Sequence, residues 1–135
     1  MNHRILPILA AAALAGCATG ASQTGGPTRT LHPLVSGAER HLQIDWDRQP
    51  HNGAAVVWGY LHNTSPYTFD RIRVLVDALD PSGNVVAQQV SWVPGILGSW
   101  GRRYFQVAMP PAANYQVRIF SYDRVEGGDR DGFRF

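Results

Sequence analysis

The chain has 135 residues, which is the size of a single domain. Its composition is 44% hydrophobic and 16% charged, and 14 glycines with 9 prolines punctuate it too often for a helical bundle or a coiled coil. All 12 basic residues are arginine, 10 acids leave a net charge of only +2, and there is one cysteine; a nucleic-acid-binding surface, a disulfide framework and a multi-cysteine zinc site are therefore excluded.

The amino terminus has the pattern of a secretory signal peptide. Arg4 gives it a basic start, and residues 5–15 form an apolar run that ends in small side chains. A helix that spans a bilayer needs about 20 apolar residues, so this run is too short to remain as a membrane span. We therefore predict a signal peptide over residues 1–16.

The four residues Leu14-Ala15-Gly16-Cys17 resemble the lipobox of bacterial lipoproteins. The resemblance implies that diacylglycerol is attached to Cys17 through a thioether, that the chain is cut before Cys17, and that the new amino group is acylated, palmitate being one such chain. Two or three acyl chains hold a protein firmly, because each buried CH₂ contributes about 0.8 kcal/mol. Ala18 stands where an aspartate would favour the inner membrane, so we expect an outer-membrane lipoprotein with its domain in the periplasm.

An ordinary signal peptidase offers an alternative. Ala13-Leu14-Ala15 is also an A-x-A ending, and cleavage there would release a soluble periplasmic protein. That product would carry a lone free thiol in an oxidising compartment. The position of Cys17 directly after the apolar run favours lipidation.

The remaining chain divides into three parts. Residues 17–38 are rich in Thr, Gly, Ser, Ala and Pro, and we predict a flexible tether. Residues 39–126 alternate apolar and polar residues with a period of two between clusters of turn residues, one of which is the hairpin signal Asp80-Pro-Ser-Gly83. This pattern predicts an all-β fold, an antiparallel β-sandwich of about seven strands. Residues 127–135 form an acidic and aromatic tail.

Several segments of the predicted sandwich are similar to the FxLYD-type domains of exported bacterial and archaeal proteins. These segments are Gly59-Tyr-Leu-His-Asn63, Ile72-Arg-Val-Leu-Val76 and Leu79-Asp-Pro-Ser-Gly83. The resemblance implies an Ig-like or fibronectin-III-like sandwich outside the cytoplasm, and it implies no reaction. Pro110 to Tyr115, followed by Val117 and Ile119, also resembles the tyrosine corner of such sandwiches.

No group of residues has the spacing of a catalytic or metal site. His32, His41, His51 and His62 lack the spacing of a zinc site, and Ser99 is out of register for a nucleophile elbow. The acids of the tail lack the glutamate and the further oxygens of an EF-hand. We therefore expect no enzyme, no cofactor and no metal.

Strand alternation predicts one candidate binding surface. If Val57 and Leu61 face the core, their neighbours on the strand face outward, and the same argument applies to two further strands. The outward set, expected to form one sheet face, is Trp58, Tyr60, Arg73, Tyr104, Arg118, Phe120 and Tyr122. The alternative is that residues 31–50 or the tail cover this face.

These observations support a lipid-anchored protein of the cell envelope with a non-catalytic binding or structural accessory domain. Its expected partners are the membrane, through Cys17, and envelope proteins or glycan, with no nucleic acid. The alternative function is a module that binds peptidoglycan or polysaccharide through Trp92, Trp100 or the outward aromatic face.

Overall fold

A computed structural model describes residues 29–126. The predicted signal peptide, Cys17 and the tail of residues 127–135 lie outside the described residues. The six strands are β1 (Leu42–His51), β2 (Ala54–Asn63), β3 (Thr68–Leu79), β4 (Val85–Trp92), β5 (Arg102–Met109) and β6 (Asn114–Val125), and one 3-10 turn (Ala38–Arg40) precedes them. Nowhere in residues 29–126 is there a helix with the length and apolarity to cross a membrane.

The strands form two antiparallel three-stranded sheets. The first sheet has the order β1-β2-β5 and the second β4-β3-β6. The all-β prediction and the β-sandwich are confirmed, with six strands in the described part of the chain where about seven were expected. The fold is compatible with an Ig-like sandwich.

The core lies between the two sheets and follows the predicted alternation. In β2, Val57 and Leu61 are fully buried and their neighbours are only partly so. In β5, Phe105, Val107 and Met109 are buried in turn. In the second sheet, β3 supplies the fully buried side chains Phe69, Ile72, Val74 and Val76, and β6 adds Tyr115 and Ile119.

Two hairpins show the turn chemistry that their residues predict. Asn52 and Gly53 both have positive φ, 46° and 75°, as the two-residue turn between β1 and β2 requires. In the β3–β4 turn, the Asp80 carboxylate accepts hydrogen bonds from the backbone N–H groups of Ser82 and Asn84 at 2.9 and 2.8 Å. These hydrogen bonds lower the pKa of Asp80 below its usual value because they stabilise the charged form, and the bond from the Asn84 N–H has the largest effect.

The tyrosine corner is present. The Tyr115 hydroxyl donates a hydrogen bond of 2.7 Å to the carbonyl of Pro110, five residues upstream. The ring is buried at the start of β6. This bond ties the β5–β6 connection to the core at one end of the sandwich.

Gly59 is required in the middle of β2. A Cβ built on Gly59 would lie 2.0 Å from the carbonyl oxygen of Asp45 and 2.7 Å from the Cα of Trp46. The backbone of β1 therefore approaches β2 more closely than any side chain allows. A glycine inside a strand is the sequence signal of such an approach.

The predicted tether is too long at its carboxyl end. Leu31 exchanges two hydrogen bonds with the side chain of Gln88 on β4, and the Leu34 N–H donates to the Phe120 carbonyl on β6 at 2.8 Å. Since β3 lies between β4 and β6, residues 31–34 cross the outer face of the second sheet. We call residues 31–34 the strap; further along, Val35 and Ala38 pack against the core.

The sandwich has two different ends. The hairpin end contains the turns at residues 52–53 and 80–84. Residues 29–31, the first that the structure describes, contact the start of β4 beside this end. At the other, the loop end, lie the connections of residues 64–67 and 93–101. The chain enters close to the hairpin end, away from the loop end.

Candidate functional site

Three aromatic rings lie side by side on the outer face of the first sheet. Tyr60 on β2 pairs with Tyr104 on β5, and Trp58 is two residues before Tyr60. The ring centroids of Tyr60 and Tyr104 are 5.6 Å apart in an edge-on arrangement, and those of Trp58 and Tyr104 are 6.4 Å apart. Tyr104 is 44% exposed. We call Trp58, Tyr60 and Tyr104 the aromatic platform.

Polar side chains surround the aromatic platform in register. The Asp45 carboxylate lies 3.0 Å from His62 Nε2, and the guanidinium of Arg102 stacks 4.8 Å from the centre of the Tyr60 ring. The Tyr104 hydroxyl donates to Gln106 at 3.2 Å. A shallow hollow of about 480 Å³ adjoins the platform, lined by Gln49, His51, Val56, Trp58, Tyr104 and Gln106.

This arrangement has the components of a binding surface. Aromatic faces beside hydrogen-bonding amides and carboxylates can stack on a ligand and orient it. Among residues 29–126, no three His, Cys, Asp or Glu side chains come together as metal ligands. His41 instead packs against the rings of Tyr67 and Phe69, while His51 and His62 lie at separate places on the first sheet.

The structure divides the predicted face between two sheets. Trp58, Tyr60 and Tyr104 lie together on the first sheet, as alternation indicated. The expectation that Arg73, Arg118 and Phe120 share that face was wrong, because β3 and β6 belong to the second sheet. Alternation along a strand identifies its two faces, but it does not identify the sheet that the strand joins.

Tyr122 was expected to face outward and packs inward instead. Its ring meets Phe69 edge-on, with centroids 5.0 Å apart, beside the core. The reason is a bulge in β6: Arg73 pairs with Ser121 and Val74 with Ile119, so Phe120 is an extra residue between them. One extra residue inverts the alternation that follows it. Phe120 remains on the outer face, where Arg73 stacks on its ring at 5.1 Å.

The outer face of the second sheet holds a buried polar network that the sequence analysis did not identify. Asp77 is completely buried, and its carboxylate accepts a hydrogen bond from Gln88 at 2.7 Å and pairs with Arg118 at 2.5 Å. The same Gln88 bonds Leu31 of the strap. The signal for this network was an aspartate inside the apolar run of β3.

Two further exposed tryptophans lie away from the aromatic platform. Trp92 ends β4 with its side chain on the outer face of the second sheet, and Trp100 lies in the connection from β4 to β5. Both belong to the loop end. The sequence analysis named them as ring-binding alternatives, and the structure separates them from Trp58 and Tyr60.

Comparison of the chain with protein-family models, with curated proteins and with solved structures gave no match in any of the three.

Proposed function

We propose that this protein is a lipoprotein of the bacterial cell envelope whose β-sandwich is a non-catalytic binding or structural accessory domain. The lipobox-like Leu14-Ala15-Gly16-Cys17 supports attachment to the outer membrane through Cys17, with the domain in the periplasm. The hairpin Asp80 to Gly83 and the tyrosine corner at Tyr115 support an FxLYD-like member of the Ig-like sandwiches.

The aromatic platform is the binding surface of this proposal, and it is the observation that carries it. Among residues 29–126, nothing covers the Tyr104 ring on the outer face of the first sheet, so a neighbouring molecule can reach it without a rearrangement of the described fold. Rigid rings provide contact area at a small loss of side-chain entropy, which is why tyrosine and tryptophan are frequent in binding sites. The strands hold the rings in fixed positions.

A glycan-binding module is the second candidate, and the rows of the first sheet favour it. Asp45 lies beside Tyr60 and Tyr104 in one row, and Asp47 and Gln106 flank Trp58 in the next. A sugar presents apolar C–H faces and hydroxyl groups, so it matches rings that alternate with carboxylates and amides. Peptidoglycan and envelope polysaccharides are the glycans that this protein would meet in the periplasm.

Cross-linking from the aromatic platform separates the two candidates. A photoactivatable residue at position 106, in place of Gln106, should capture envelope proteins in intact cells if the domain is a protein-binding accessory. Retention of the purified domain on peptidoglycan, lost at least tenfold in Trp58→Ala and Tyr104→Ala, should appear if it binds glycan. The matched control is Trp46→Ala, an exposed tryptophan of the same sheet whose side chain does not belong to the platform. Capture and retention that are equal in all variants would contradict a role for the platform.

Lipid attachment is tested independently of binding. Labelled fatty acid should be incorporated into the wild-type protein and not into Cys17→Ser, and only the wild type should sediment with the outer membrane. Equal labelling of both chains, or a wild-type protein found free in the periplasmic extract, would contradict the anchor and favour the soluble periplasmic alternative.

A further inference from the structure

The connection between β4 and β5 exposes three large apolar side chains at the loop end. Trp92, Ile96 and Trp100 are 59%, 52% and 69% exposed. Between them, Val93 and Leu97 are buried in the core, so the connection is fixed by two buried side chains and its other side chains face solvent. Exposed apolar groups of this size in one short segment indicate a contact surface.

The connection is held rigidly, so the exposure is built into the fold. Leu97 and Phe69 exchange two backbone hydrogen bonds of 2.9 Å, and the buried Asn63 donates from its side chain to the Gly98 carbonyl at 2.9 Å. The Trp100 N–H donates to the Ser65 carbonyl. These bonds fix both sides of the loop to the sandwich.

Trp100 has an unusual backbone conformation. Its φ is 60°, in the left-handed region that a bulky side chain rarely adopts. Such a conformation costs about 1–3 kcal/mol and persists only where the surrounding structure imposes it. Here it accompanies a side chain that is more than two-thirds exposed, so the strain does not serve core packing.

Arginines border the three apolar side chains. Arg73 stacks on the Trp92 ring at 5.1 Å, Arg103 donates to the Ile96 carbonyl at 2.8 Å, and Arg102 is next to it in the chain. Within residues 29–126, none of these three arginines is in a salt bridge. The chain has no aspartate or glutamate between Asp80 and Asp123, and the acid nearest the loop across the sheet is Asp70, which follows Phe69, the partner of Leu97. The surface is therefore apolar at its tip and cationic at its edge.

We propose that Trp92, Ile96 and Trp100 insert into the surface of an anionic phospholipid bilayer, with Arg73, Arg102 and Arg103 against the lipid phosphates. Tryptophan favours the boundary between headgroups and acyl chains, and an aliphatic side chain gains by entering it. Arginines near the surface of an anionic leaflet each contribute about 1 kcal/mol. The contact is distinct from the proposed anchor at Cys17, because the first described residues, 29–31, lie near the hairpin end.

The side chains of the loop favour a bilayer over a glycan as the occupant. A glycan needs hydrogen-bonding side chains beside the rings. Within the connection itself, the exposed residues beside the rings are Pro94, Ile96, two glycines and Ser99, of which Ser99 alone has a hydrogen-bonding side chain, and the arginines lie at the edge. An apolar tip with a cationic border is complementary to lipid chains beneath phosphates.

Vesicle sedimentation tests the proposal. The sample for this assay is a shortened chain that begins at Ala18. It lacks the predicted signal peptide and Cys17 and keeps all the described strands and core residues. It should sediment with phosphatidylglycerol–phosphatidylethanolamine vesicles, bind phosphatidylcholine vesicles at least tenfold more weakly, and release as salt rises. Ile96→Ser/Trp100→Ser should lower the partition coefficient at least tenfold. The matched control Leu34→Ser/Trp46→Ser removes two exposed apolar side chains elsewhere and should leave binding unchanged.

Depth measurements make the result specific. In a variant whose only tryptophan is Trp100, emission should shift to shorter wavelength on vesicles and be quenched by lipids that carry a spin label near the headgroup. Absence of vesicle binding, binding that the control loses equally, or an emission change with soluble polysaccharide but not with vesicles would each overturn the proposal. Thermal unfolding of each variant confirms that it is folded.

Discussion

The outer faces of the two sheets follow the same strand alternation but differ in their exposure to solvent. On the first sheet, Tyr104 is exposed and Tyr60 is half-buried beside Arg102. On the second sheet, Leu75 and Asp77 also point away from the core, yet both are fully buried, and the strap crosses this face. The difference teaches that a residue which faces out of a sandwich is not necessarily exposed to water. On the second sheet, the strap reaches Asp77 through Gln88.

Charge separates the two faces in the same way. On the open face, Asp45 pairs with His62 while the aspartate side chain is 80% exposed. On the covered face, Asp77 pairs with Arg118 while the aspartate side chain is 1% exposed. Water screens the Asp45–His62 pair. The Asp77 carboxylate has lost its contact with water, so its charge is stabilised by Arg118 and Gln88 instead.

The largest expected effect follows from this contrast. Asp77→Ala should lower the free energy of unfolding by about 3–5 kcal/mol, because Arg118 keeps a charge with no partner in a poorly solvated place. Asp45→Ala, the matched change on the open face, should cost less than about 1 kcal/mol. Urea unfolding measures both. Equal losses would mean that the strap does not exclude water from the second sheet.

A second change tests how closely the backbones of β1 and β2 approach each other in the first sheet. Gly59→Ala should destabilise the protein by at least about 2 kcal/mol, because the new methyl group would overlap the backbone of β1 at Asp45 and Trp46. Gly98→Ala is the control: its Cβ would meet no atom within 4 Å, and its effect should stay within about 0.5 kcal/mol. A Gly59→Ala protein of wild-type stability would contradict the close approach of β1 to β2.

The smallest expected effect concerns the strap itself. Gln88→Ala removes the bonds to Leu31 and to Asp77 and should cost about 1–2 kcal/mol. Amide exchange at Leu34, whose N–H is bonded to Phe120, should accelerate more than exchange in β2. Gln89→Ala should change neither, because the Gln89 side chain bonds only the carbonyl of its neighbour Val90. Unchanged protection of Leu34 in Gln88→Ala would show that other contacts hold the strap.

Part of the candidate site followed from local sequence. Val57 and Leu61 are apolar residues an even number of positions apart, so they lie on the same face of β2. Trp58 and Tyr60, at the positions between, could therefore be assigned to the outward face correctly. The assignment of Tyr122 failed because the bulge at Phe120 has no distinctive residue, such as a glycine, that would reveal it. The prediction that Arg73 and Arg118 share a face with the platform was wrong, because their strands belong to the second sheet.

The sequence by itself determined the strands, the turns at Asn52-Gly53 and Asp80 to Gly83, and the tyrosine corner, because each depends on the chemistry of neighbouring residues. The tertiary structure alone decided which strands share a sheet, that Gln88 links the strap to Asp77, and that Trp100 is held outward. These features arise from contacts between residues far apart in the chain. No local pattern of hydrophobicity or turn residues encodes such contacts.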